Sequence, residues 1–516
     1  MSNTKSASQS IRVYFNDNVI DCYSAPDLSS KGFRFNFCRT GFEVVADINL
    51  KTEVFFKDIG DDIYLYDNKA YIELKQSRSD DRINNSKFFE SNYTFPVGET
   101  AFSDIRRIIP GRKYFWSADG LTQQPITMDS FKDFGRVVAL EEQLAKQMLS
   151  AIESSRKYTK ELNSKDICVL FSGGIDSILL VQSLLSKGIE PILITAVAKD
   201  PFDSSAIDEY RSAVLAKYWG LEHYEAVVDL DEAAVMECWG KLKNDIPMAV
   251  HTGIFFERAF QKAKDLGVKV IFAGQNADTF YNLGPTSKIS LSISDLADTF
   301  RRFFLSDYII NSLAKKNEVR TIVSKLKYAP AKLAMILGVL VLNLMMRNKK
   351  VFVPTNVDQA VVAYKSRPDY IIFPSSEDIL SATESRCESG FFDEIYGYKV
   401  ENFLMTGAPQ VIYSYGEKYD IEVVMPYSSK EIIGYFHGMK KSVLNVFFPK
   451  KEIYDASKRL DRILPKFAGA SGASLKYPSY HEWLLKHWGF LNSSEDNKPF
   501  GNASSFMIEL SKFWLK

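Results

Sequence analysis

Cysteine is scarce in this chain. Five occur in 516 residues, at Cys22, Cys38, Cys168, Cys238 and Cys387, and none form a C-x-x-C pair. That pattern argues against a disulfide framework and a zinc site, and fits a reducing compartment. Histidine is equally sparse. His223, His251, His437, His481 and His487 show no metal spacing, so packing or surface roles are expected. Neither sign of charge is in excess: Lys plus Arg and Asp plus Glu both number 64. No global field therefore draws the chain to nucleic acid or to an acidic membrane. The start, MSNTKSASQS, has no apolar h-region. No signal peptide is expected, and a cytoplasmic location follows from it together with the cysteines. Long apolar runs are missing too. The uncharged core of KLAMILGVLVLNLMM covers only Leu333 to Met346, and a spanning helix needs about 20 residues. A buried helix is expected there. Basic flanks (Lys325, Lys327, Lys332, Arg347, Lys349, Lys350) keep a membrane-surface helix open as the alternative. No G-x-x-x-x-G-K-[ST] phosphate loop occurs, and no period of about 20–50 residues repeats.

What is present is an ordinary globular composition, 46% hydrophobic and 25% charged. The length suggests two to three domains. The most informative stretch is VLFSGGIDSILL, Val169 to Leu180. Asp166 to Phe171 reads as a buried strand. Ser172, Gly173 and Gly174 turn sharply, and a helix follows from Asp176. Glycines let the backbone approach a ligand. The new helix offers unpaired N–H groups and its dipole to an anion. Ser172 and Ser177 add hydroxyls, and Asp176 adds a hard oxygen ligand suited to Mg²⁺.

The full S-G-G-x-D-S between strand and helix resembles the pyrophosphate-releasing loop of the asparagine synthetase, GMP synthetase and NAD synthetase group. Those enzymes adenylate a substrate and expel pyrophosphate from ATP. The resemblance implies ATP and Mg²⁺, with Ser172, Gly173, Gly174, Asp176 and Ser177 as the nucleotide loop.

The rest of the chain is read against that loop. Up to about Met128, alternating runs such as IRVYF, FRFNF, FEVVADI and DIYLYD predict an antiparallel β-rich unit. TAFSDIRRIIPGRKYFW resembles the end of the asparagine synthetase glutaminase domain. That domain uses an N-terminal Cys, whereas this chain has Ser2, so residues 1–128 read as a degenerate glutaminase-like (Ntn-type) domain. From Asp129 a helix is expected, with Leu140, Leu144, Met148 and Ile152 on one face. PILITAVA, a helix over about Ser205 to Trp219, and LEHYEAVVDL then continue an alternation that implies a parallel sheet. The expected fold is α/β. Residues 129–516 form an adenine-nucleotide α-hydrolase-like (asparagine synthetase) domain with helical additions.

AGQNAD, Ala273 to Asp278, follows the strand VKVIF. It resembles the family's S-G-E-G-S-D-E, which implies Gly274 at the nucleotide and Asp278 as a second Mg²⁺ ligand beside Asp176. The Glu that serves incoming ammonia is here Gln275, a poor proton acceptor. YDIEVVMPYSSKEIIGYF, Tyr419 to Phe436, resembles G-L-E-A-R-V-P-F-L-D. Glu422 and Pro426 match, while Val424 and Ser429 replace the Arg and Asp. In PKKEIYDASKRLDRILPKF, Lys450 matches a phosphate-contacting lysine. A second catalytic lysine is expected on GASGASLKYPS at Lys476, with Lys466 as competitor. Residues 284–389 read as an insertion.

The resemblance implies an ATP-dependent carbon–nitrogen ligase, similar to β-lactam synthetase and lasso-peptide cyclase enzymes. It would convert a carboxylate to an acyl-adenylate and pass it to an amine. The expected partner is a small-molecule or peptide substrate carrying both groups, and a protein of the same pathway could accompany it. An amidotransferase using ammonia or glutamine, and a non-catalytic ATP-binding partner, stay open. Transfer to tRNA is disfavoured by zero net charge.

Overall fold

A computed structural model describes residues 10–14, 33–38, 41–47, 50–59, 62–67, 70–72, 74, 98, 100, 102–117, 119–125, 139–156, 162–199, 207–229, 237, 240, 253–277, 350–352, 370–372, 408–438 and 450–461. The alternating runs of the N-terminal segment become β1 (Ser10–Tyr14), β2 (Phe33–Cys38), β3 (Gly41–Ala46), β4 (Val54–Ile59), β5 (Asp62–Asp67), β6 (Arg106–Arg107), β7 (Arg112–Ser117) and β8 (Gly120–Pro125). They form two antiparallel sheets, ordered β1-β5-β4-β6 and β2-β3-β7-β8. Alternation places one set of side chains inward, as period two requires. Phe56 of the first sheet meets Trp116 and Tyr114 of the second, with centroids 5.4 and 5.9 Å apart. Edge-on contact suits the ring quadrupoles, so the sheets face each other across an aromatic seam.

The amphipathic helix α1 (Leu140–Arg156) buries Leu140, Leu144, Met148 and Ile152 as its spacing predicts. It begins at Leu140, and the expected start at Asp129 lies outside the described residues. Glu141 and Glu142 in the first turn suit the positive end of the dipole there. Residues 126–138, and with them the expected boundary at 128/129, lie outside the described residues.

A 3₁₀ turn at Ser164–Asp166 leads into β9 (Ile167–Leu170). Then follow α2 (Ile175–Leu185), β10 (Ile192–Lys199), α3 (Ile207–Trp219), β11 (His223–Asp229), α4 (Gly253–Asp265) and β12 (Val270–Ala273). Lys350–Phe352 (β13) and Tyr370–Ile372 (β14) pair with each other, in parallel, inside the segment read as an insertion. Near the end come α5 (Ala408–Tyr419), β15 (Glu422–Val424), a 3₁₀ turn at Pro426–Ser428, α6 (Lys430–Gly438) and α7 (Lys451–Leu460).

Five strands form one sheet in the order β11-β10-β9-β12-β15, and every pairing is parallel. Its central strands are apolar runs, ICVL and VIFA, as a sheet covered on both faces requires. The chain builds outward from β9 in one direction, then returns to the other side of β9 with β12. That reversal between β9 and β12 opens a crevice at their carboxyl ends. α2 is buried along nearly its whole length, from Ile175 to Leu184. It packs against α1 and α7. Arg459 of α7 grips Glu141 of α1 with two bonds of 2.6 and 2.7 Å, which fixes α7 beside α2. Among the described residues no helix is long and apolar enough to cross a membrane. Leu333 to Met346 lie outside them.

Candidate active site

β9 delivers Phe171 to the crevice, where its carbonyl accepts a 2.6 Å bond from the Thr195 hydroxyl of β10. His223 sits on the same Thr195 at 2.8 Å, a structural placement. The chain then turns at Gly173, whose φ of +69° is left-handed and needs glycine. Gly174 is the N-cap of α2, and no side chain caps it. The Ser172 hydroxyl accepts from Gly174 N–H at 3.3 Å, and the Ser177 hydroxyl donates to Gly174 carbonyl at 3.0 Å. The hydroxyls shape the turn, and the open helix end faces the crevice with its N–H dipoles.

The loop after β12 reaches the same place. A Cβ on Gly274 would stand 3.4 Å from Ser177 N and 3.5 Å from Asp176 Cβ, so the two loops touch through a glycine. Gln275 is half-buried beside it. Asn276 has φ +67°, a left-handed conformation that Asn tolerates better than most residues. Its amide donates to the Ser428 hydroxyl at 2.9 Å. The neighbouring Tyr427 is fully buried, and its hydroxyl donates to Asp176 carbonyl at 3.0 Å. The turn after β15 is thus tied to both other loops. Tyr427 and Ser428 stand where the resembling motif has Phe and Leu, and composition alone does not mark them.

Lys450 is the N-cap of α7, with φ +67°. A lysine held left-handed costs about 1–2 kcal/mol. The packing of α7 on α2 brings its ammonium onto the Asp176 carboxylate. Of the sequence-predicted residues, the structure therefore gathers Ser172, Gly173, Gly174, Asp176, Ser177, Gly274, Gln275 and Lys450 at one crevice. Asp278, Lys476, Lys466 and Ser2 lie outside the described residues.

Glu422 does not face the crevice loops in the same way. It accepts from Lys51 at 2.8 Å and from the Ser155 hydroxyl, joining β15 to α1 and the N-terminal unit. Beside it lies a cavity of about 200 Å³ lined by Lys51, Ser154, Tyr413, Glu422, Ser428 and Ser429, among others. Burial pushes the Tyr413 phenol well up, so it stays protonated. Ser429 turns inward to cap α6, accepting from Ile432 N–H at 3.3 Å. Cys168, inside β9, is buried, and burial raises its thiol pKa, which makes it inert.

Residues 162–335 match the family model for asparagine synthase. That segment, about a third of the chain, is similar to the asparagine synthase family. The matched segment supports ATP-dependent carbon–nitrogen ligase chemistry of the ATP-pyrophosphatase type in general form. The matched asparagine synthase segment holds the first two loops of the crevice, and Tyr427, Ser428 and Lys450 lie beyond it. A search of curated proteins finds no match. Among solved structures, the chain is similar to the glutamine phosphoribosylpyrophosphate amidotransferase of B. subtilis complexed with ADP and GMP. The identity is 10%, 47% of this chain and 48% of that chain are covered, and the TM-score is 0.11. The match thus spans about half of that protein, and a likeness so slight carries no argument.

Proposed function

We propose that this chain is an ATP-dependent ligase that activates a substrate carboxylate, with AMP and pyrophosphate as products, and passes the acyl group to an amine. One observation carries the reading: the SGGIDS turn and the AGQN turn meet at the switch point of the parallel sheet. The uncapped N-terminus of α2 and the Ser172–Ser177 turn suit the phosphates of ATP. Magnesium fits the donor set. The Asp176 carboxylate already holds a cation, the Lys450 ammonium, at the mouth of the phosphate turn. Asp176 and Asp278 would hold the ion, which when bound would neutralise phosphate charge. Lys450, released from Asp176, would then face the phosphates. Lys476 remains the second lysine proposed, on its sequence context.

Gln275 favours a substrate amine over free ammonia. A neutral amide at that position is a poor acceptor for the proton that ammonia loses as it attacks. We read the substrate as a small molecule or peptide carrying both carboxylate and amine, which allows ring closure. The N-terminal sheets are read as a degenerate glutaminase-like unit.

The test uses the full chain with ATP, Mg²⁺ and a small-molecule and peptide fraction of the source cells, with hydroxylamine as surrogate amine. AMP and pyrophosphate should form in step with a hydroxamate. Nucleotide binding without AMP formation in any fraction would make the chain a non-catalytic binder instead.

A further inference from the structure

The N-terminal unit holds a second cavity, of about 280 Å³, that shares no lining residue with the crevice loops. Phe56, Phe102 and Ile105 give it an apolar floor, while Arg106, Arg107 and Arg112 line it with positive charge. Among the described residues no carboxylate lines it. Like charges that line a cavity of low polarity repel more strongly than they would in water.

Each arginine is placed by the fold. Arg106 and Arg107 are the whole of β6, held by pairing with Phe56 and Phe55 of β4. Arg112 opens β7 after the Ile109-Pro110-Gly111 turn, and donates to the Gln123 side chain across the strand pair at 3.0 Å. Arg107 is buried and donates to Glu53 at 3.1 Å, yet its Nε has no partner among the described residues. A buried unsatisfied donor in a native fold calls for a water or an ion nearby. Glu53 offsets Arg107 only in part. Burial pushes its carboxyl up to about 7, which weakens its charge near neutral pH. Asp58 feels the charge of Arg106, but it is not among the lining residues and accepts from Trp116 Nε1 at 3.1 Å.

We propose that this cavity binds a small organic anion, a carboxylate or phosphate head on an apolar body. Arginine forks match either head in bidentate fashion. The Phe56 and Phe102 rings suit a flat apolar body. The volume lies just under the roughly 300–1,000 Å³ of drug-sized sites, so the ligand is small. This site is independent of the proposed ligase reaction and stands or falls without it.

The experiment is calorimetric titration of the full chain with benzoate and with phenyl phosphate, and with benzamide as the neutral match to benzoate. At least one of the two anions should bind saturably at millimolar concentration. For benzoate and benzamide the expected gap is at least about tenfold, as expected of a charge-assisted bond. The double variant Arg106→Gln/Arg112→Gln, checked by circular dichroism, should bind the anion at least about tenfold more weakly. The proposal is overturned if neither anion binds saturably, if benzamide binds as well as benzoate, or if the folded double variant keeps full affinity. Should the double variant fail to fold, Arg112→Gln alone against phenyl phosphate and the benzoate–benzamide pair on the native chain decide it.

Discussion

The two units of this chain handle their paired charges in opposite ways. In the N-terminal unit, Glu53 and Arg107 form an ion pair with side chains 1% and 6% exposed, and Gln410 of α5 donates to the same carboxylate. In the parallel-sheet unit, Asp176 and Lys450 form a pair 18% and 19% exposed, at the mouth of a crevice. The first pair is locked, because Arg107 left alone would be a bare charge in the interior. Water reaches the second pair, so each partner can be exchanged at small cost. Through Gln410 the first pair is tied to the parallel-sheet unit, and the second stands at the mouth of the crevice. Backbone strain follows the same division. Of the three left-handed non-glycine residues among those described, Asn276 and Lys450 sit at the crevice.

The largest effect expected on activity comes from Asp176→Asn. AMP and pyrophosphate formation should fall below detection, because a neutral amide holds Mg²⁺ poorly. Stability should change by no more than about 1 kcal/mol, the usual worth of a part-exposed pair. Undiminished pyrophosphate release would remove Asp176 from the mechanism. On stability the order reverses. Arg107→Met removes a hydrogen bond to a buried carboxyl, which then keeps its proton, and should cost about 1.5–3 kcal/mol in urea unfolding. A loss below about 1 kcal/mol would show the pair to be no more than a surface bridge.

The same comparison has a pH arm. Glu53 rises from 4.5 to about 7, chiefly through burial, opposed by Arg107 and Gln410 and reinforced by Glu417. The folded pKa lies above the unfolded one, so the native state keeps a proton that the unfolded state has lost. Stability should therefore fall as pH rises from 4.5 to about 7. The penalty is complete above that window and relieved below it, with a size of about 3 kcal/mol. Glu53→Gln cannot titrate and should flatten the slope. Urea midpoints measured for both proteins from about pH 5 to 8 decide the matter. Parallel curves would mean that another group titrates.

Much of the crevice is legible in the sequence, for a local reason. A strand, a glycine turn and a helix lie within a dozen residues, and the alternation of elements implies the parallel sheet that positions them. Gly274 is legible for the same reason, one strand later. The partners are not legible. Lys450 meets Asp176 across 274 positions, Tyr427 meets it across 251, and Asn276 meets Ser428 across 152. Those contacts come from α7 and β15 packing beside α2 and β12, which no local pattern encodes. A Phe-like position filled by Tyr reads as conservative until its hydroxyl is seen on the phosphate turn.

The smallest effects expected come from two tyrosine hydroxyls that repeat the comparison. In the N-terminal unit, the Tyr114 hydroxyl accepts from Ile109 N–H at 2.8 Å. At the crevice, the Tyr427 hydroxyl donates to Asp176 carbonyl at 3.0 Å. Both rings are fully buried, so replacement by Phe keeps the packing and removes only oxygen. Tyr114→Phe leaves a buried N–H with no acceptor, which should cost about 2 kcal/mol. Tyr427→Phe leaves a carbonyl in the first turn of α2, where the helix supplies its own donor, and should cost about 1 kcal/mol. Activity should respond in the reverse order. Tyr427 steadies the phosphate turn, so its loss should raise the KM for ATP by less than about tenfold with kcat little changed. Tyr114→Phe should leave both constants alone. The measurements are urea unfolding and steady-state AMP formation for the two variants side by side. If Tyr114→Phe raises the KM for ATP as much as Tyr427→Phe does, the effect is global softening, and Tyr427 has no positioning role at the phosphate turn.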